Sequence, residues 1–316
     1  IEPLGNGRNL VRVEAAPGTF VSRPECECGY PPDLIERILE VKGPGYLCDE
    51  IVREEDPNYV GLFLRYGLLG FLPPEDFRGA RILDFGSGSG ASTVILARMF
   101  PDTRIVGVEL EPDFVDIARR RIAHYELSNC DFLQSPDPSR LPDGIGTFRY
   151  INFSAVYEHL LPDERRKLLP QLWSLLEPGG VFFVSQLPYR YYPIDQHTTG
   201  LPLINYLPRR LAHRYATARS RRVEPDASWE VLLRAGIRGG SEREVVRDIE
   251  RGGGKLESLT PNQLGLRSHA DLWYAYSSEA NPHPVKKAMR VAFRAIHATT
   301  GTNFLPGLSM AFRKVA

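Results

Sequence analysis

The sequence has no excess of charge of either sign, since 39 Lys and Arg balance 39 Asp and Glu. That balance removes the general field that would draw the chain to nucleic acid or to an anionic membrane, and leaves a small molecule as the expected partner. Cysteine is scarce, four in 316 residues. Scattered as Cys26, Cys28, Cys48 and Cys130, these suit a reducing compartment rather than a disulfide framework. Cys26 and Cys28 stand as CxC, half of a zinc ligand set, but no second Cys or His pair follows at ligand spacing, so no metal is expected. No apolar run reaches the roughly 20 residues that cross a bilayer, and the opening IEPLGNGRNL lacks the pattern of a signal peptide. A cytoplasmic protein is expected. Internal repeats and low-complexity segments are absent, and the length allows one large core with additions.

What is present changes character along the chain. Residues 1 to about 30 are rich in Gly, Pro and charge and read as an irregular arm. From Pro32 to Leu72 apolar residues fall at helical spacing, predicting two or three helices that form a cap. ARILDFGSGSG then reads as a strand entering a Gly-rich turn, ASTVILARMF as an apolar helix, and RIVGVEL as a second strand. DFLQS, FRYINFS and GGVFFVS are further short apolar runs, with helical DERRKLLPQLWSLL among them. Such alternation predicts an α/β fold with a mostly parallel sheet, helices on both faces and ligands at the carboxyl ends of its strands. After Gln186 come a Tyr/Pro/His-rich loop and three helical stretches, an insertion after the fifth strand. KLESLTPN, a helix around VKKAMRVAFRAIH and the alternating LSMAFRKV close the sheet. The expected organisation is an arm and helical cap over 1–76, a core over 77–190 and 253–316, and a helical insertion over 191–252 that caps the substrate.

The turn after the first core strand reads Asp84-Phe85-Gly86-Ser87-Gly88-Ser89-Gly90. Glycines let a ligand approach the backbone, and the helix that follows offers unpaired N–H groups. Glu109 ends the second strand, with Leu110 beside it, where a carboxylate can accept from both hydroxyls of a ribose. Gly86-x-Gly88-x-x-Ala91 also satisfies a dinucleotide fingerprint, so a nicotinamide or flavin oxidoreductase is the first rival. The acid at Asp84 separates the two, because it would repel a pyrophosphate and favour an ammonium or sulfonium.

These segments resemble the class I S-adenosylmethionine-dependent methyltransferase family, over about Phe77 to Gln186 and again in the last sixty residues. The resemblance rests on LDFGSGSG, VGVELEPDFVDIARRR, SAVYEHLLP and LEPGGVFFVS, in the family's order. It implies a Rossmann-like seven-stranded sheet and S-adenosyl-L-methionine as cofactor. Asp84, Gly86, Ser87, Gly88 and Gly90 would hold the methionine part and Glu109 the ribose. Ser135, Pro136 and Asp137 would line the adenine, with Ser154 at the next strand end. Two departures stand out: Arg149 replaces a common Asp at the entry to FRYINFS, and FLQSPDPSRLP is about one residue longer than usual, which leaves open whether Ser135 or Asp137 meets the adenine.

For the acceptor, the expected rim holds His159, just beyond the fourth strand, and His197, in the polar loop YYPIDQHTTGLPLINYLP. Either is a candidate base for a hydroxyl acceptor, with Asp195 as a partner that orients His197. The density of Tyr, His, Asn and Thr in that loop favours a saccharide or other polyhydroxylated acceptor and O-methylation. In LPRRLAHRYATARSRR, seven of sixteen residues are Arg or His; with no net charge, an exposed amphipathic helix is preferred to a nucleic-acid site. A second rival is a regulatory protein that binds the cofactor and transfers nothing.

Overall fold

The computed structural model describes residues 1–16 and 18–315. Its contacts group into two units, Ile1–Arg65 with Phe77–Ser135, and Tyr66–Asp76 with Pro136–Ala316.

In the first unit the opening residues are not an irregular arm. Short strands β1 (Glu2–Pro3), β2 (Asn9–Arg12) and β3 (Glu25–Cys28) pair antiparallel. The alternation in ECEC turns Cys26 and Cys28 inward and leaves both glutamates exposed, as a half-buried strand requires. Helices α1 (Pro32–Lys42) and α2 (Leu47–Glu55) follow, and α3 (Val60–Leu69) begins before Arg65, where this unit's first segment ends. Val11, the two cysteines, Leu34, Ile35, Ile38 and Ile51 form one buried cluster with Cys48. All four cysteines are free and buried.

The predicted βαβ pattern then appears as β4 (Arg81–Phe85), α4 (Ala91–Met99), β5 (Arg104–Glu109), α5 (Pro112–His124) and β6 (Cys130–Gln134). β4, β5 and β6 run parallel, Asp84 opposite Gly107 and Glu109 opposite Gln134. Their near-continuous apolar sequences suit strands covered on both faces.

In the second unit β7 (Phe148–Ser154) lies parallel to β8 (Leu176–Pro188), with α6 (Pro162–Leu175) as the connecting helix. Three helices follow, α7 (Arg209–Arg219), α8 (Trp229–Arg234) and α9 (Glu242–Glu250). Ile204, Ala212, Ala216, Leu232 and Ile237 give that region a buried cluster of its own. β9 (Leu256–Leu259), α10 (His269–Ala280), α11 (Pro284–Thr300) and β10 (Gly307–Lys314) complete it, and β10 pairs antiparallel with both β8 and β9. The sheet has seven strands in the order β6-β5-β4-β7-β8-β10-β9, mixed but mostly parallel. Among the described residues no helix is long and apolar enough to cross a membrane.

Candidate functional site

The glycine turn of the first unit is built by β5. The N–H groups of Gly86 and Ser87 donate to the Val108 carbonyl at 2.9 and 3.1 Å, which folds the chain back at the strand end. Gly88 has φ +55°, and a side chain there would meet nothing within 4 Å, so its backbone is open to a ligand. The carboxylate of Glu109 reaches this turn. One oxygen accepts from the Gly88 N–H at 2.7 Å; the other accepts from Leu110 and Glu111 N–H at 2.8 and 3.2 Å. A carboxylate has about four acceptor positions, so with three taken one remains for a ribose hydroxyl.

Asp84 is 2% exposed. One of its oxygens accepts from Ser92 and Thr93 hydroxyls at 2.7 and 2.6 Å, which places a negative charge at the start of α4 where the helix dipole favours it. Two buried hydroxyls in this unit, Ser87 Oγ and Ser135 Oγ, have no hydrogen-bond partner. Buried polar groups are normally satisfied, and an amino-acid head with a ribose offers the donors and acceptors these positions lack. The residues present therefore fit S-adenosylmethionine.

Sequence reasoning passed over what anchors this turn. Arg121, in the run Arg119-Arg120-Arg121, is fully buried. Its guanidinium donates to the Ser89 carbonyl and hydroxyl at 2.9 and 3.0 Å, and to the Glu50 carbonyl and carboxylate at 2.9 and 3.1 Å. Burial alone would raise the Glu50 carboxyl, but Arg121, Lys42 and Arg53 hold it below its ordinary value. The only sequence signal was periodicity: in α5, Arg121 falls on the face of Ile117 and Ala118.

Ser135 donates its N–H to the Glu109 carbonyl at 2.7 Å. Asp137, two residues on past Pro136, accepts from Ser139 N–H and hydroxyl at 2.8 and 2.9 Å; these bonds hold its carboxyl below the ordinary value. At the end of β7 the Ser154 hydroxyl accepts from Ser185 at 2.9 Å and from the Gln186 amide at 3.1 Å.

In the second unit the structure brings the two candidate histidines together. His159 ends the short turn Tyr157–His159 after β7, His197 lies in the loop after β8, and their ring centres are 5.3 Å apart. Burial lowers the pKa of both; for His197 the neighbouring His159 lowers it further and Asp195 raises it. Asp195 makes no hydrogen bond to His197. Its carboxylate instead accepts from Thr198 N–H at 3.2 Å and from Thr199 N–H and hydroxyl at 3.0 and 2.7 Å, so it orders the loop and acts on the imidazole through charge.

Glu158 was overlooked. It is 1% exposed and neither carboxylate oxygen has a hydrogen-bond partner. Burial pushes its carboxyl up to about 7, with its own backbone N–H and Arg165 pulling back only in part. Gly236 fits against this group: its φ is +95°, and a Cβ would lie 2.5 Å from His197 Cδ2 and 3.3 Å from Glu158 Cγ. Gly236→Ala is expected to cost about 1–3 kcal/mol, the order of a residue forced into a sparsely populated backbone region, read as a lower midpoint in denaturant.

The methyltransferase-domain family matches residues 82–180. A trans-aconitate 2-methyltransferase from Methylobacterium radiotolerans is 39% identical over 121 residues, 38% of this chain and 42% of that protein. A carboxy-S-adenosyl-L-methionine synthase from Chromohalobacter salexigens is 30% identical over 43% of this chain and 50% of its own length. The chain thus spans about half the length of these curated relatives. Among solved structures, PKMT2 from Rickettsia typhi aligns over 81% of this chain and 52% of its own, with 17% identity and a TM-score of 0.47. The family match shows a methyltransferase domain over residues 82–180, and the motif order and the seven-stranded sheet agree with the class I S-adenosylmethionine-dependent type.

Proposed function

We propose that this chain methylates a hydroxyl of a saccharide or other polyhydroxylated small molecule. The observation that carries the hydroxyl reading is the pairing of His159 with His197 beside a buried acid, on segments that follow the carboxyl ends of β7 and β8. Ligands of α/β sheets bind outside such ends.

S-adenosylmethionine, when bound, supplies a methyl group on a sulfonium. Glu109 holds the ribose, the open backbone at Gly88 and the Ser87 hydroxyl receive the methionine part, and Ser135 or Asp137 meets the adenine. Asp84 acts on that part through its charge and through the start of α4. His197 accepts the hydroxyl proton, with His159 beside it and Asp195 favouring the protonated imidazole. Four free, buried thiols accord with a cytoplasmic location.

A second reading has a specific support. A relative is named for trans-aconitate, and Arg190, Arg209 and Arg238 line a cavity of about 560 Å³ in the second unit. A carboxylate acceptor is already ionised and needs no base, so under that reading His197→Ala leaves turnover unchanged.

The test is transfer of labelled methyl to panels of hydroxylated and of carboxylate acceptors. Label on a hydroxyl oxygen supports the proposal; label only on carboxylates sinks it in favour of the second reading. Cofactor binding without transfer to any acceptor would support a regulatory protein instead. Glu109→Ala is expected to weaken S-adenosylmethionine binding by about 1–3 kcal/mol, the order of charge-assisted hydrogen bonds. Calorimetry measures this, and an unchanged affinity would place the ribose elsewhere.

A further inference from the structure

We propose that Glu158, His159 and His197 form a binding site for a divalent first-row transition metal, made of one carboxylate oxygen and two imidazole nitrogens. One ligand atom from each of the three residues lies within 4.8 Å of the others, and His159 Nε2 stands 3.9 Å from Glu158 Oε1. Ligation at about 2.0–2.2 Å requires only small side-chain rotations to close that triangle.

Four further features prepare the group for a cation. The Glu158 carboxylate is buried and neither of its oxygens is hydrogen-bonded, a costly arrangement for a charge unless an opposite charge joins it. His159 Nδ1 lies 2.7 Å from the Arg234 carbonyl. A carbonyl only accepts, so Nδ1 carries the hydrogen and Nε2 presents its lone pair towards the acid. Metal-bound histidines are commonly oriented in this way, through a hydrogen bond from the other ring nitrogen. The nearby guanidinium of Arg165 is engaged with the carbonyls of Leu160, Gly239 and Glu158, so it does not neutralise the acid by a direct bond. Gly236 closes over the His197 ring and lets that side chain lie beside Glu158.

Two imidazoles and one carboxylate suit zinc, cobalt or iron(II) better than magnesium or calcium, which prefer oxygen ligands. His197 is only partly covered and still reaches solvent, so the site is open on one side, as in metal sites that admit a substrate oxygen. With a metal bound, His197 would serve as a ligand rather than as the proton acceptor, and the metal would favour the ionised form of an acceptor hydroxyl whose proton passes to solvent. That role rests on the hydroxyl reading above; the metal site does not.

The experiment uses the whole chain, stripped with a chelator and titrated with Zn(II) by calorimetry and with Co(II) by visible absorption. One equivalent per chain is expected, with d–d bands free of the thiolate charge-transfer absorption that Cys26, Cys28 or Cys48 would give. Glu158→Gln and His197→Ala should each weaken Zn(II) binding at least about tenfold, with the melting profile checking the fold and S-adenosylmethionine affinity retained. Wild-type chain that binds no metal, variants that bind as tightly as wild type, or a thiolate signature would each overturn the site. Methyl transfer to a hydroxyl by metal-free wild type that binds no added metal would leave the proposed function standing and remove the metal. One tight Zn(II) without any methyl transfer would support the site and sink the functional reading.

Discussion

Replacing Arg121 by methionine is expected to lower the stability of the fold by about 3–5 kcal/mol, the range for removing one partner of a buried ion pair. The side chain fits by volume, but Glu50, 6% exposed, would keep its charge without the guanidinium that faces it. The Ser89 carbonyl and hydroxyl would lose their donor as well, so cofactor binding at the glycine turn should weaken along with stability. Chemical denaturation and calorimetry with S-adenosylmethionine measure the two effects.

The pH dependence gives a sharper check. In the wild type the Glu50 carboxyl is held below its unfolded value. Its contribution is therefore complete above the ordinary carboxylate range, near pH 4–5, and is lost as the pH falls through the depressed folded value. In Arg121→Met burial dominates and raises the folded value, although Lys42 remains 3.5 Å away. Protonation of Glu50 then relieves the strain, so the stability gap between variant and wild type should narrow on acidification. A gap that stays constant with pH would show that lost packing, rather than the stranded charge, is responsible.

His197→Ala is expected to reduce turnover on a hydroxyl acceptor by about 100- to 10,000-fold, the usual weight of a positioned group that assists proton removal. S-adenosylmethionine affinity should be unchanged, since the groups proposed to hold the cofactor stand elsewhere in the sequence. Asp195→Asn should cost less activity and more loop order, because the Asp195 carboxylate holds Thr198 and Thr199 and only its charge acts on the imidazole. Full activity in His197→Ala would remove that residue from the chemistry whether it acts by itself or through a metal.

Much of the core was legible in sequence because its signals are local. FRYINFS reads as a strand from its apolar content and is β7, residue for residue; the glycine turn and the acid that ends β5 announce themselves by spacing. The opening sheet was not legible, since β1 has two residues and β2 and β3 four each, too few for a period to show. Arg121 has no signal in the sequence beyond its helical spacing from Ile117 and Ala118, and only the approach of α2, with Glu50, makes it a core residue. Glu158 and Gly236 were missed for a related reason: their meeting with His197 joins three segments distant in sequence. Asp84 was legible as an acid near the end of β4 by its place before the glycine turn, but its engagement with Ser92 and Thr93 depends on how α4 starts.

The placement of β10 between β8 and β9 bears on how the protein is made. During synthesis β8 emerges well ahead of its neighbour, and the ribosome must release residues 189–306 before that edge can be zipped. Until then a long, apolar ribbon lies bare on one side, the kind of surface on which nascent chains stick to one another. Chaperone demand and losses to aggregation should therefore concentrate late in translation, and slowing elongation across α7 to α9 would prolong the hazard.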